Sequence, residues 1–424
     1  MSRTKGRALV IYRNVASVML AVSVLQLAAG ILSVAIPLAM DGYGWSRISI
    51  GAVLASYGGG FLIGSLIAPA VVRNIGHIRA YAAFAGVAAA LTLLIALGDD
   101  FLWWCLSRAG FGLCVAGLFA VAESWIADAT PADRRGAVIS VYQILSRVGL
   151  IAGPFLIAIP ALSLIESFVL AGAFISLALA PITATRRAQP VIAEGERISP
   201  MRLFKIAPTA AGAAFTAGVV NAGVLAFVPL WAEGLSGVET GAGAATVLAA
   251  VYGVSMIVQW PAGKLSDQFD RRYVIAGLAG FAGLFALALA IFPGLSLQTS
   301  TALAGLWGAV SLSFYGVAVA HAADRSRVEE LPAIASGVLM VWAAGSIVGP
   351  LIAGALYGSA LGARGLFLFA AGASLLLTAL TLWRTRARRA TPDAQRERFV
   401  NLQATSAALA EIEGPGERAE PETV

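Results

Sequence analysis

The stretch Gly263-Lys-Leu-Ser-Asp267-Gln-Phe-Asp270-Arg271-Arg272 decides how this chain is read. Three basic and two acidic residues stand in ten positions, between an apolar run at 241–263 and another at 274–293. So short a connection joins two antiparallel helices. Positive charge clustered between runs of about 20 apolar residues is the pattern of a cytoplasmic loop between membrane spans.

The same alternation extends outward along the chain. Apolar runs long enough to span a bilayer lie at 15–40, 48–72, 80–98, 101–127, 136–160, 162–184, 206–232, 241–263, 274–293, 298–323, 334–358 and 365–383. Composition agrees. The 424 residues are 59% hydrophobic and 12% charged, against about 45–50% and 25% in soluble domains. One buried core cannot hide that much apolar surface, so lipid must cover it. The expected class is an all-α integral membrane protein with twelve transmembrane helices.

Charge placement excludes a nucleic-acid partner. The isoelectric point is near 9.6, but Arg and Lys form short clusters between spans instead of one patch. With the N-terminus in the cytoplasm, 25 of the 29 Lys and Arg fall on the cytoplasmic side. Arg47 and Arg364 fall outside, and Arg108 and Arg147 lie within spans. That bias predicts two cytoplasmic termini. The first apolar run is too long for a cleaved leader and is read as a retained helix. Cys105 and Cys114 sit about 13 Å apart on one helix, too far for a disulfide. No pattern for a metal, a cofactor, nucleotide binding or hydrolysis is present, so no enzyme is expected.

The longest internal polar stretch, 185–205, divides the spans six and six. It is read as a cytoplasmic linker between an N-terminal bundle, 1–184, and a C-terminal bundle, 206–384. The charged segment 385–424 is expected to be a flexible cytoplasmic tail. Two landmarks recur across the halves. Pro69-Ala-Val-Val-Arg73-Asn-Ile-Gly76-His-Ile-Arg79 precedes the opening stretch by 194 positions. Gly149-Leu-Ile-Ala-Gly153-Pro154 precedes Gly345-Ser-Ile-Val-Gly349-Pro350 by 196. Nearly equal offsets imply parallel six-helix repeats. Glycines four apart let helices approach closely, and the following proline can kink the helix.

These residues resemble the major facilitator superfamily. Its loop between helices 2 and 3 has the form G-x-L-a-D-r-x-G-R-R. The second copy matches through Gly263, Asp267, Arg271 and Arg272, with Asp270 in place of the later glycine. In the first copy Pro69 replaces the leading glycine and Arg73 replaces the aspartate, while Gly76 and Arg79 remain. Arg108-Ala-Gly-Phe-Gly112 resembles the family's helix-4 pattern. Ala122-Glu-Ser-Trp125, Asp133-Arg-Arg-Gly136 and Gln259-Trp-Pro-Ala-Gly263 are similar to the YcaD-type subfamily. The resemblance implies two pseudo-symmetric six-helix bundles, a central cavity lined by helices 1, 4, 7 and 10, and alternating access.

Charged groups within a bilayer are costly and call for a reason. Arg108 lies about seven residues into the fourth span, and Arg147 lies near the middle of the fifth. Glu123 is the carboxylate nearest Arg147 in sequence. It is a candidate proton carrier, with a fixed ion pair to Arg147 as the competing reading. Gln26 and Asn221 are 195 positions apart and are candidate substrate contacts or interhelical hydrogen bonds. Tyr142, Tyr252, Trp307, Tyr315 and Trp342 suggest a partly aromatic or amphiphilic solute. Tyr252, Tyr315 and Trp342 join the substrate candidates. Gly149, Gly153, Pro154, Gly349 and Pro350 join the loop residues as conformational candidates. His321 is expected at the interface and Glu166 in solvent.

The function expected is secondary active transport of a small organic solute across the bacterial cytoplasmic membrane, proton-coupled, leaning to efflux, by a monomer. The alternatives are a nutrient importer, for example of an aromatic vitamin such as riboflavin, and a non-transporting receptor or scaffold on the same fold.

Overall fold

A computed structural model describes residues 2–159, 162–184, 200–236, 241–292, 294–327 and 330–387. Twelve helices among the described residues are long and apolar enough to span a bilayer. We label these spans α1 (Val15–Gly42), α2 (Arg47–Ile75), α3 (His77–Leu97), α4 (Phe101–Asp128), α5 (Arg134–Ile157) and α6 (Leu164–Thr183), then α7 (Pro208–Leu235), α8 (Ala242–Gln268), α9 (Arg271–Ile291), α10 (Leu297–Ala323), α11 (Ala333–Tyr357) and α12 (Ala363–Arg386). Residues 385–387, expected as the start of the tail, continue the last helix, and the rest of the tail lies outside the described residues, as does most of the linker. The linker's last residues form a short helix, Pro200–Ile206.

The helices sort their side chains by rotation about the axis. On α5, Ile144, Leu145 and Val148 are exposed, while Tyr142, Gln143, Ser146 and Arg147 are buried. The exposed face suits lipid, and the buried face turns polar groups inward. Large apolar residues such as Leu106, Val169, Ile257 and Leu376 are likewise exposed. At the far end from the basic loops, rings of Tyr43, Trp45, Trp104 and Phe168 pack edge to face at centroid distances of 5.7–6.0 Å. Tyr and Trp favour that depth in a membrane.

Close packing follows the repeated glycines. A β-carbon at Gly149 or Gly153 would overlap the Ser23 or Leu27 carbonyl of α1. One at Gly345 or Gly349 would overlap the Phe215 or Val219 carbonyl of α7. The pair α5 on α1 is thus repeated as α11 on α7. The halves meet where Gly51 and Gly58 of α2 press against Pro350 and Ser346 of α11. Gly349→Leu is expected to remove most folded protein from the membrane, because overpacking costs about 1–3 kcal/mol even where neighbours can yield, and a carbonyl on a packed helix cannot. Fluorescence-detected gel filtration of the variant checks this.

The tenth span is present as expected, and within it the helix is interrupted between Leu297–Ser311 and Phe314–Ala323. The Ser313 hydroxyl donates back to the Ala309 carbonyl, competing with the helix. The Ser311 carbonyl, at the end of the first segment, instead accepts the Asn221 side-chain N–H at 3.2 Å.

Candidate functional site

Arg108 is placed by a backbone approach. A β-carbon at Gly112 would overlap the Tyr57 carbonyl, and one at Gly60 would overlap Ala109. Small residues on both helices therefore draw α4 onto α2. The Arg108 guanidinium then lies 4.9 Å from the Tyr57 ring centroid and 5.2 Å from that of Phe111. Arg147 lies on the buried face of α5, with its guanidinium 5.2 Å from the Tyr252 ring of α8. Tyr57 is within electrostatic range of both Arg108 and Tyr252. Two arginine–tyrosine pairs are thus buried within the spans, Arg108 with Tyr57 between α4 and α2 and Arg147 with Tyr252 between α5 and α8.

Aromatic contacts continue across the halves. Tyr57 packs on Phe61, Phe61 on Trp342 at 5.8 Å, and Trp342 on Tyr315 at 6.4 Å. Trp307 is fully buried, with an indole N–H that has no hydrogen-bond partner among the described residues.

The competing reading, a fixed Glu123–Arg147 ion pair, is not seen among the described residues. Glu123 accepts a hydrogen bond from the Tyr142 hydroxyl at 3.2 Å, and the Arg147 guanidinium lies over the Tyr252 ring. Asn221 adopts the interhelical alternative, exchanging hydrogen bonds with Ser311 across α7 and α10. Gln26 is buried on α1. His321 stands two residues from the end of α10 and is buried within the protein. Glu166 closes a capping box with Ser163 at the start of α6.

The C-terminal loop is a saturated charge network. Arg271 Nε donates to Asp324 at 2.7 Å, and another of its nitrogens donates to the Ser266 hydroxyl at 3.1 Å. Asp267 lies 3.5 Å from Arg271. Ser266 in turn donates to the Gly263 carbonyl. Asp270, the departure from the family pattern, caps α9 and pairs with Arg272 at 2.7 Å. Burial alone would push the Asp270 carboxyl up. Hydrogen bonds from the Arg272 side chain and backbone outweigh it and hold the group below its ordinary value.

The N-terminal copy is built differently. Arg73 and Arg79 are exposed. His77 holds the place of Arg271, 194 positions earlier, and its Nε2 lies 3.1 Å from the Ser124 hydroxyl. Gly76 joins α2 to α3 at φ +82°, a conformation that favours glycine.

Several site residues escape sequence reading. Tyr57 had a usable signal, since it stands beside Gly58, Gly59 and Gly60 in a span. Gln143 and Ser146 are buried beside Arg147 on α5, and the Gln143 amide oxygen has no hydrogen-bond partner among the described residues. Glu233 is a buried carboxylate that accepts the backbone N–H groups of Gly241 and Ala244 at the start of α8. It lines a far-face cavity of about 680 Å³ together with Asp41, Arg47 and Tyr357.

A family model described as Major Facilitator Superfamily matches residues 18–319 and 239–413. An uncharacterized MFS-type transporter of Yersinia pestis is 25% identical over 336 residues, covering 76% of this chain and 82% of the relative. The uncharacterized MFS-type transporter YcaD of Escherichia fergusonii is 25% identical over 333 residues, covering 77% and 84%. Among solved structures, a bacterial homologue of the human lysosomal transporter Spinster, inward-facing and occupied, superposes with a TM-score of 0.70. It is 18% identical and covers 92% of this chain and 98% of its own. The human organic anion transporter MFSD10 gives 0.63 at 16% identity, covering 88% and 99%.

Proposed function

The chain belongs to the Major Facilitator Superfamily, and from that premise we propose that it moves a small organic solute, partly aromatic or amphiphilic, by proton-coupled alternating access in the direction of export. It is a multi-pass membrane transporter, not an enzyme. The observation that supports the finer reading is the pair of buried arginine–tyrosine contacts, Arg108–Tyr57 and Arg147–Tyr252, charged and aromatic groups within the spans. Export is favoured by the Gly149–Pro154 pattern of α5.

In this reading residues 1–184 and 206–384 rock as two bodies about the solute, with 185–205 as linker and 385–424 as a cytoplasmic tail. The protein is a monomer in the bacterial cytoplasmic membrane, with both termini inside. Gly76, Arg79, Gly263, Asp267, Arg271 and Arg272 act as hinges and latches of the inner gate. The packed glycines of α5 and α11 are the surfaces that slide.

Glu123 is assigned the proton. Tyr142 donates to it from α5, and Tyr315 of α10 lies within its electrostatic range, so its surroundings draw on both halves. Glu123→Gln is expected to leave transport that no longer varies with pH. Retained pH dependence would move the coupling site elsewhere.

Alternating access can be tested without knowing the solute. Spin labels at Tyr43 and Leu361 report the far face, and labels at Ile75 and Met201 report the basic face. All four side chains are exposed, and Cys105 and Cys114 are first replaced by serine. Each pair is expected to show two distances whose populations shift in opposite directions with pH. One unchanging distance at both faces would refute the reading.

A further inference from the structure

The chemical class of the solute follows from how the intramembrane arginines are treated, and this inference rests on the transport reading above. Arg271 shows what a buried arginine receives here when the chain itself supplies its partners: 1% exposure, an aspartate at 2.7 Å, a hydroxyl at 3.1 Å and a second aspartate at 3.5 Å. Arg147 is buried to 7% exposure, and among the described residues it has no ion pair. Its Nε is buried without a hydrogen-bond partner. The same holds for the Nε of Arg108, which also lacks an ion pair among those residues.

A guanidinium does not shed its proton in a protein, so neither charge can be relieved by neutralisation. Aromatic faces offset part of the cost but accept no directed hydrogen bond at the charge edge. Glu123 cannot serve Arg108, because 15 residues of one helix place them about 22 Å apart. Among the described residues no acceptor meets either Nε, which leaves that place to a ligand. One helical turn from Arg147, the Gln143 amide oxygen is also buried without a hydrogen-bond partner among the described residues. It supplies a polar group for the rest of such a ligand.

We propose that the solute is an organic anion. Its carboxylate, sulfonate or phosphate is bound by Arg147, and its aromatic or apolar body packs on Tyr252, the ring beside that guanidinium. Arginine's planar fork suits all three oxyanions.

The test uses the purified full chain in detergent. Thermal unfolding is followed with naphthoate, naphthalene sulfonate, naphthyl phosphate, neutral naphthamide and cationic naphthylmethylammonium. At least one anion is expected to stabilise the protein at concentrations about tenfold to a hundredfold below those the amide needs, the factor for a charge-assisted hydrogen bond. Arg147→Gln should remove that advantage and leave the weak amide response unchanged. Arg147→Lys should restore part of it, since the charge remains but the fork is lost. The unliganded unfolding temperature of each variant shows whether the fold is kept.

Equal binding of the amide or the ammonium overturns the proposal. So does failure of all three anions, or an anion preference that survives Arg147→Gln. Spin-label distances judge alternating access separately, so the solute class can fail while the transporter stands.

Discussion

Arg147→Ala is expected to lower transport by at least about a hundredfold while the amount of protein in the membrane stays unchanged. A charged group that hydrogen-bonds a ligand contributes about 1.5–3 kcal/mol, and truncating one partner of a desolvated charge pair costs about 2–5 kcal/mol. The upper part of that range corresponds to a hundredfold or more. Little stability should be lost, because Arg147 makes no ion pair among the described residues. Its contact with Tyr252 is worth only about 1–2 kcal/mol, and removing an unpaired charge from the membrane offsets that loss. Transport measured alongside quantitative membrane immunoblotting decides it. Lost abundance would make Arg147 a structural residue.

Asp324→Ala is expected to act in the opposite way, through stability. The Arg271 and Asp324 side chains are 1% and 2% exposed. Removing one partner of such a pair leaves a buried charge, at a cost of about 3–5 kcal/mol. Replacing both, with Arg271→Met and Asp324→Leu, should recover most of the loss, since an apolar pair of similar volume is often as stable. The counterpart change in the N-terminal half, His77→Ala, removes a histidine–serine contact worth about 1 kcal/mol. Thermal unfolding of the three variants checks the order. Equal losses from Asp324→Ala and His77→Ala would show that the two loops bear load alike despite their different chemistry.

What could be read from the sequence was what depends on local pattern. The spans follow from runs of apolar residues, and the repeat follows from matched glycines and basic turns. The close approach at Gly153 and Gly349 was legible because a missing β-carbon acts wherever two helices cross. Arg108 and Arg147 stood out because charge within an apolar run is costly wherever it points. Their partners did not stand out. Tyr57 and Tyr252 reach the arginines from helices distant in sequence, and helix rotation, not depth, decides which side chains face each other. Glu123 likewise meets the Tyr142 hydroxyl, and no ion pair with Arg147 is seen among the described residues. The break in α10 was hidden because Ser311 and Ser313 are compatible with a helix, and Asn221, 90 positions earlier, receives the carbonyl at that break.

The central claim is that this chain moves an organic solute through a site containing Arg147. An untargeted comparison of metabolites in cells and medium tests it most directly, using cells with the wild-type chain, without it, and with Arg147→Ala at equal abundance. The account predicts that a few organic solutes shift from cells to medium when the wild-type chain is present, and that the shift disappears with Arg147→Ala. No difference between cells with and without the chain, or a shift that persists undiminished with Arg147→Ala, would contradict it.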